Sequence, residues 1–236
     1  TELEVHFGVE ASASLLREGG YDAVVLCTGG RLACPRVDGI DGAHVVQAVD
    51  LLENPALAHG AGRVVVVGGG DVGCEVAHFL AYELPGAEER RVTVVEMLPH
   101  FMKNSCTANR GYLIHHLEDA GVALWNCTRL LRVEPGGVVE ARNVSSTVPS
   151  PYVTWAPVLP ENVKNPLARP IRVEEQEVRL EADLVVLATG MAPDTGFYEA
   201  CLREHVAPEV HNMGDSFAPA TVAEAVKAGH AIGSLL

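Results

Sequence analysis

The sequence of this 236-residue chain predicts an α/β fold with a parallel sheet, and three observations carry that prediction. The stretch VVVVGGGDVGCEV at 64–76 reads as a strand, a glycine turn and the start of a helix. The run YDAVVLCTGG at 21–30 is continuously apolar, as a strand covered on both faces of a parallel sheet is. A strand ending in Thr-Gly occurs twice, as CTGG at 27–30 and ATGM at 188–191, although only one glycine turn opens such a unit.

Composition narrows the function classes. Hydrophobic residues make up 48% and charged residues 20%, ordinary globular values. A formal net charge of −14 argues against nucleic acid or an anionic membrane as partner, because both would repel the chain. No apolar run approaches the roughly 18 residues of a membrane span, and no basic-then-apolar leader opens the chain. The first residue is Thr1 rather than Met, so an excised or processed piece is expected. None of the six cysteines (Cys27, Cys34, Cys74, Cys106, Cys127, Cys201) forms a C-x-x-C pair. The expectation is reduced thiols in a cytoplasmic protein, without a metal centre.

Taken in order, LEVHFG (3–8) alternates like a strand and ASASLLREGG (11–20) reads as a short helix closed by glycine. Strand 21–30 leads into a Pro- and Gly-bearing stretch with a short helix near 46–52, expected to connect two lobes. Then comes a complete βαβ unit: strand 63–67, helix 72–82 and strand 91–97. Residues 108–122 pattern as an amphipathic helix, followed by short strands around the Pro-Gly-Gly turn at 135–137. The proline-rich stretch 145–170, with Pro149, Pro151, Pro157, Pro160, Pro166 and Pro170, reads as an extended excursion between strands. Strand patterning returns at 172–190, and the tail is a Gly-Asp turn followed by a helix from about 221.

Gly68, Gly70 and Gly73 fill the G-x-G-x-x-G positions after a strand and before a helix. The first permits the turn, the second lets a pyrophosphate approach the backbone, and the third lets helix pack on strand. Free N–H groups at the helix start, aided by its dipole, face phosphate. A turn that merely joins strand to helix is the bland alternative. Glu96 lies 23 residues after Gly73 at the end of the next strand, placed to accept hydrogen bonds from the adenosine ribose and repel a 2′-phosphate. The residues after it, MLPH, contain no arginine, which favours NAD(H) over NADP(H). Gly69, Asp71, Val72, Met97 and Gly190 complete the cofactor-binding set on this unit. Glu75 is a weaker candidate. His115 and His116 are adjacent on a helix and cannot share a face as ligands. Tyr152 and Trp155 either cover a cofactor or pack under a loop. No nucleophile, triad or metal site stands out as catalytic.

VVVVGGGDVGCEVAHFLA, VTVVEMLP, LVVLATGMAPDTGFYEAC and NMGDSFAPATVAEAVKAGHAIG resemble the C-terminal half of the multidomain NADH:flavin oxidoreductases. These are the old-yellow-enzyme-like enoate reductases and 2,4-dienoyl-CoA reductases, with trimethylamine dehydrogenase as a cousin. The resemblance covers nearly the whole chain. It implies a Rossmann-like flavoprotein fold of two dinucleotide-binding domains, with a complete NAD lobe inserted in an incomplete FAD lobe. That explains two closings and one opening: CTGG belongs to the outer lobe and ATGM to the inner. It implies a partial FAD-type lobe at 1–57, the NAD(H) lobe at 58–200 and a return segment at 201–236. Asp215 of MGD matches the family's carboxylate on the FAD ribityl chain. A barrel carrying FMN and a 4Fe-4S cluster, and the FAD fingerprint, belong to the intact parent and not to this chain. The expected partners are therefore NADH and those missing segments, with an exposed docking face as a surface for homo-oligomers. The competing readings are a stand-alone NAD module or sensor, and another two-lobed flavoprotein such as an NADH oxidase or disulfide reductase.

Overall fold

The computed structural model describes residues 3–155, 163 and 169–236. In chain order the elements are α1 (Ala13–Gly19), β1 (Ala23–Leu26), β2 (Gly30–Leu32), β3 (Val45–Gln47), α2 (Ala48–Glu53), β4 (Arg63–Val67), α3 (Asp71–His78), β5 (Arg91–Val95) and α4 (Thr107–Asp119). They continue with β6 (Ala123–Trp125), β7 (Thr128–Glu134), β8 (Gly137–Asn143), β9 (Glu175–Glu181), β10 (Leu184–Leu187), β11 (Met191–Pro193), α5 (Gly196–Arg203), β12 (Glu209–Asn212) and α6 (Val222–Gly233). The chain divides into two compact units, an outer one of Thr1–Ala33 with Met191–Leu236 and an inner one of Cys34–Gly190.

The inner unit is built on a five-stranded parallel sheet in the order β3-β10-β4-β5-β6. Its central strands β4, β5 and β10 are rich in valine because both faces are covered. Val64 and Val66 of β4 pack with Cys74, Val76 and Ala77 of α3 and Ile114 and Leu117 of α4. Val65 and Val67, pointing the other way, pack with Leu130, Val133 and Val138 of the antiparallel sheet β7-β8-β9. Each fully buried valine contributes roughly 1.5–3 kcal/mol over an exposed one, so the sequence cannot alternate here without losing a layer.

One residue of that second layer is out of character. Glu140, in the middle of β8, is 0% exposed, and neither carboxylate oxygen has a hydrogen-bond partner among the described residues. Leu130 and Val178 stand directly across from it on β7 and β9. Burial pushes its acid up to about 7, against the pull of Arg142 on the same strand.

In the outer unit β1 pairs parallel with β12, and β2 pairs antiparallel with β11, Leu32 standing opposite Met191. A small core of Ala13, Val24, Leu26, Cys201 and Val206 covers one face of the β1–β12 pair.

Several expectations change. Residues 3–8 carry the alternation of a strand, yet form none in this structure. Alternation without a partner strand satisfies no backbone groups. The 21–30 run is not buried on both faces, since Val25 points away from the outer core and is 38% exposed. The connector expected at 31–62 is only partly one: Val45–Gln47 pairs parallel with β10 as the edge strand of the inner sheet. For that reason the units divide at 33/34 and 190/191, where the sequence suggests 57/58 and 200/201. The helix expected at 72–82 runs to His78 and closes in a π turn, Phe79–Glu83. Of the proline-rich stretch, Pro157, Pro160 and Pro166 lie outside the described residues. Among the described residues no helix is long and apolar enough to cross a membrane.

Candidate functional site

The carboxyl ends of β4, β5 and β10 meet at a crevice in the inner unit, where a doubly wound sheet places its ligand. Gly68 turns there with φ +111°, and a Cβ on it would lie 2.3 Å from the Ala188 carbonyl oxygen. A Cβ on Gly73 would stand 1.9 Å from the Gly68 carbonyl oxygen. Both glycines are therefore required by close backbone approach. Gly70 is different: nothing lies within 4 Å of where its Cβ would be. It faces open space at the N-terminus of α3.

Glu96 closes this arrangement. Its Oε2 accepts the Gly69 N–H at 2.7 Å and its Oε1 accepts the Leu98 N–H at 2.7 Å. Two backbone donors thus fix the carboxylate against the glycine turn, with its remaining lone pairs free for a ligand.

Two cavities open here. The larger, of about 410 Å³, is lined by Gly68, Gly70, Glu96, Met97, Thr128, Leu130 and Gly190 among others. The smaller, of about 250 Å³, is lined by Gly69, Gly70, Asp71, Val72, Glu96, His100, Lys103, Asn104 and Gly190 among others. Eight of the nine candidate residues of the inner unit thus line one or both; the ninth, Gly73, is buried in α3. Gly190 reaches the cavities with φ +86°. Glu75 is exposed on α3 and lines neither cavity.

The sequence reading missed His100, Lys103 and Asn104 on one wall and Thr128 and Leu130 on the other. The signal available was position: His100 ends the MLPH tetrad, and Lys103 is one of three lysines in the chain.

Other candidates resolve as structure. Tyr152 donates its hydroxyl to the Val122 carbonyl at 3.1 Å, accepts the Leu124 N–H at 3.2 Å and packs on the core, so it belongs under a loop. Trp155 is 73% exposed. His116 sits in a ring cluster with His78, Tyr82 and Tyr112, and His115 pairs with Asp119 on the solvent side. All six cysteines are free. Burial, with Asp71 and Glu96 adding to it, pushes the Cys74 thiol up to about 12, which makes it a packing residue rather than a nucleophile.

Asp215 lies in the outer unit, where its Oδ1 accepts the Ala220 N–H at 3.3 Å ahead of α6. With Cys27, Gly29, Gly214 and Thr221 it lines a cavity of about 290 Å³. The inner crevice fits a dinucleotide: two glycines no side chain can replace, an open Gly70 and a fixed acid. The outer unit fits only part of a flavin nucleotide. Asp215 lines a cavity there, yet no strand–glycine turn–helix cradle for a pyrophosphate exists among its described residues.

Comparison with known proteins bears on family and fold. The chain is 33% identical over 138 residues to an NADH oxidase of Thermoanaerobacter brockii, a match covering 58% of this chain and 20% of that protein. It is 32% identical over 156 residues to a bilirubin reductase of Mediterraneibacter gnavus, covering 65% and 23%. The chain thus spans about a fifth of the length of these curated relatives. In fold it is similar to a solved 2-naphthoyl-CoA reductase complex, with a TM-score of 0.69 at 23% identity over 95% of this chain and 28% of that one. The resemblance to large flavin oxidoreductases is borne out at the level of family and fold. Residues 9–210 match the model of the pyridine nucleotide-disulphide oxidoreductases, which bind FAD and NAD(P), and the chain belongs to that family.

Proposed function

We propose that this chain is the NADH-binding portion of a flavin-dependent oxidoreductase of the ene-reductase type. NADH held by this chain would supply hydride for FAD, and FMN and a 4Fe-4S cluster elsewhere in such a protein would pass the electrons to an activated C=C bond. The observation that carries the reading is the doubly anchored Glu96 carboxylate beside a glycine turn that no other residue can form.

The chain's own residues bind and orient. Gly70 and the first turn of α3 present N–H groups to the diphosphate. Glu96 takes the adenosine ribose hydroxyls and repels a 2′-phosphate. Met97, 65% exposed, and Leu98 offer apolar surface beside it. Gly190 leaves room at the carboxyl end of β10 for the nicotinamide side. The outer unit, with Asp215, contributes to the flavin only once a segment bearing the missing glycine turn completes it; that segment is the expected partner. The names of a bilirubin reductase and a 2-naphthoyl-CoA reductase among the similar proteins support a reductase parent.

The test is calorimetric titration of the chain with NADH, NADPH and FAD, repeated with Glu96→Gln. The wild type is expected to prefer NADH over NADPH, and Glu96→Gln to shrink that preference about tenfold. Two like charges about 4 Å apart repel by roughly 1–4 kcal/mol near a protein surface, and 1.4 kcal/mol is tenfold. A preference unchanged in Glu96→Gln would remove Glu96 from the site. Stoichiometric uptake of FAD by the chain alone would contradict the need for a completing segment.

A further inference from the structure

The segment 97–106, which follows Glu96, is fastened to the glycine turn at several points. Phe101 is fully buried where a Cβ on Gly69 would come within 2.4 Å of its ring. The Met102 N–H donates to the Gly69 carbonyl at 2.8 Å, and the Asn126 side chain donates to the Pro99 carbonyl at 2.7 Å. Met102 is held left-handed, φ +46°, a conformation a side chain resists. That turn directs Lys103 and Asn104 back to the cavity they share with His100, Gly69 and Gly70.

Charge explains what such a wall is for. Asp71 and Glu96 line the same cavity, so backbone N–H groups alone would have to hold a diphosphate against two carboxylates. His100, Lys103 and Arg110 have no ion pair among the described residues, and the buried Arg110 Nε has no partner. The three groups feel one another: burial, then Arg110 and Lys103, hold His100 below the usual imidazole range. Lys103 thus brings a positive charge without an ion-pair partner to a cavity lined by two carboxylates, in a chain of net charge −14.

We infer that Lys103, with His100 and Asn104 beside it, forms a side-chain phosphate subsite facing the backbone subsite of the glycine turn across one cavity. Its ligand is an anionic phosphate of the bound dinucleotide. The cavity reaches from the first turn of α3 to Gly190, which favours the diphosphate common to NADH and NADPH over the 2′-phosphate of NADPH. The inference rests on the dinucleotide reading above.

The experiment is titration of the full chain and of Lys103→Met with NADH and with NADPH at low and high ionic strength. Thermal unfolding without ligand serves as the control, and Lys103→Arg as the rescue. Lys103→Met is expected to weaken both nucleotides about tenfold, to flatten the salt dependence of binding, and to leave unfolding unchanged; Lys103→Arg restores binding. Weakening of NADPH alone keeps the subsite but assigns it to the 2′-phosphate. Equal affinity of wild type and Lys103→Met for both nucleotides overturns the inference. Failure of the wild type to bind either nucleotide would instead overturn the dinucleotide reading itself.

Discussion

Gly73→Ala is expected to lower the melting temperature of the chain by roughly 5–15 °C and to abolish measurable NADH binding. The added methyl would stand 1.9 Å from the Gly68 carbonyl oxygen and 3.3 Å from the Ala188 side chain, and the first of these is backbone that cannot swing away. Forcing α3 off β4 costs about 2–4 kcal/mol and carries the helix start away from the phosphates. Gly70→Ala separates fold from binding. Its methyl meets nothing within 4 Å, and its φ of −74° suits any residue. It is expected to leave unfolding unchanged while weakening NADH, because the methyl occupies the space the diphosphate needs. A Gly70→Ala chain that binds NADH as well as the wild type would show that the diphosphate sits elsewhere. An unperturbed melting temperature in Gly73→Ala would show that helix and strand are not in such close approach.

The second large effect has the opposite sign. Glu140→Leu is expected to stabilise the chain at pH 8 by about 3 kcal/mol, or roughly 6–12 °C, and by far less at pH 4. In the folded chain burial raises this acid from 4.5 to about 7. Below about 4.5 the carboxyl is protonated in folded and unfolded chains alike, and it contributes no pH dependence. Between 4.5 and 7 the unfolded chain loses the proton while the folded chain keeps it, so stability falls as pH rises. Above 7 both are ionised and the loss is complete. Leucine suits the site, which lies between Leu130 and Val178. Thermal unfolding of both proteins from pH 4 to pH 8 provides the check. Parallel curves, offset equally at every pH, would mean that Glu140 is ionised and solvated in the folded chain too.

How much of this was legible depended on whether a residue's reason is local. The β4 strand, the glycine turn and Glu96 could be read directly, because each is dictated by neighbours within one βαβ unit. Asp215 was legible only through the resemblance, since its Gly-Asp turn has no period. Strand β3 escaped notice because its three residues are defined by pairing with β10, some 140 residues later in the chain. The Lys103 wall was missed for a related reason. What turns it toward the cavity is the buried Phe101 and the left-handed Met102, and neither residue type announces such a role. Residues 3–8 show the converse: alternation is a necessary pattern for a half-buried strand, and without a partner it specifies nothing. Glu140 looks like an ordinary β-sheet charge until three strands and a second sheet enclose it.

The pairing of Leu32 with Met191 has a wider consequence. Seen from the outer unit, residues 34–190 are the loop of a β-hairpin. A hairpin constrains its loop only where the two ends meet, and each doubling of loop length costs only about 0.6 kcal/mol. By connectivity the inner unit is therefore a cassette within the outer one. A short Asn-Gly turn could replace it while keeping the Gly30–Leu32 and Met191–Pro193 register, and a module with another coenzyme preference could be spliced in at the same two positions.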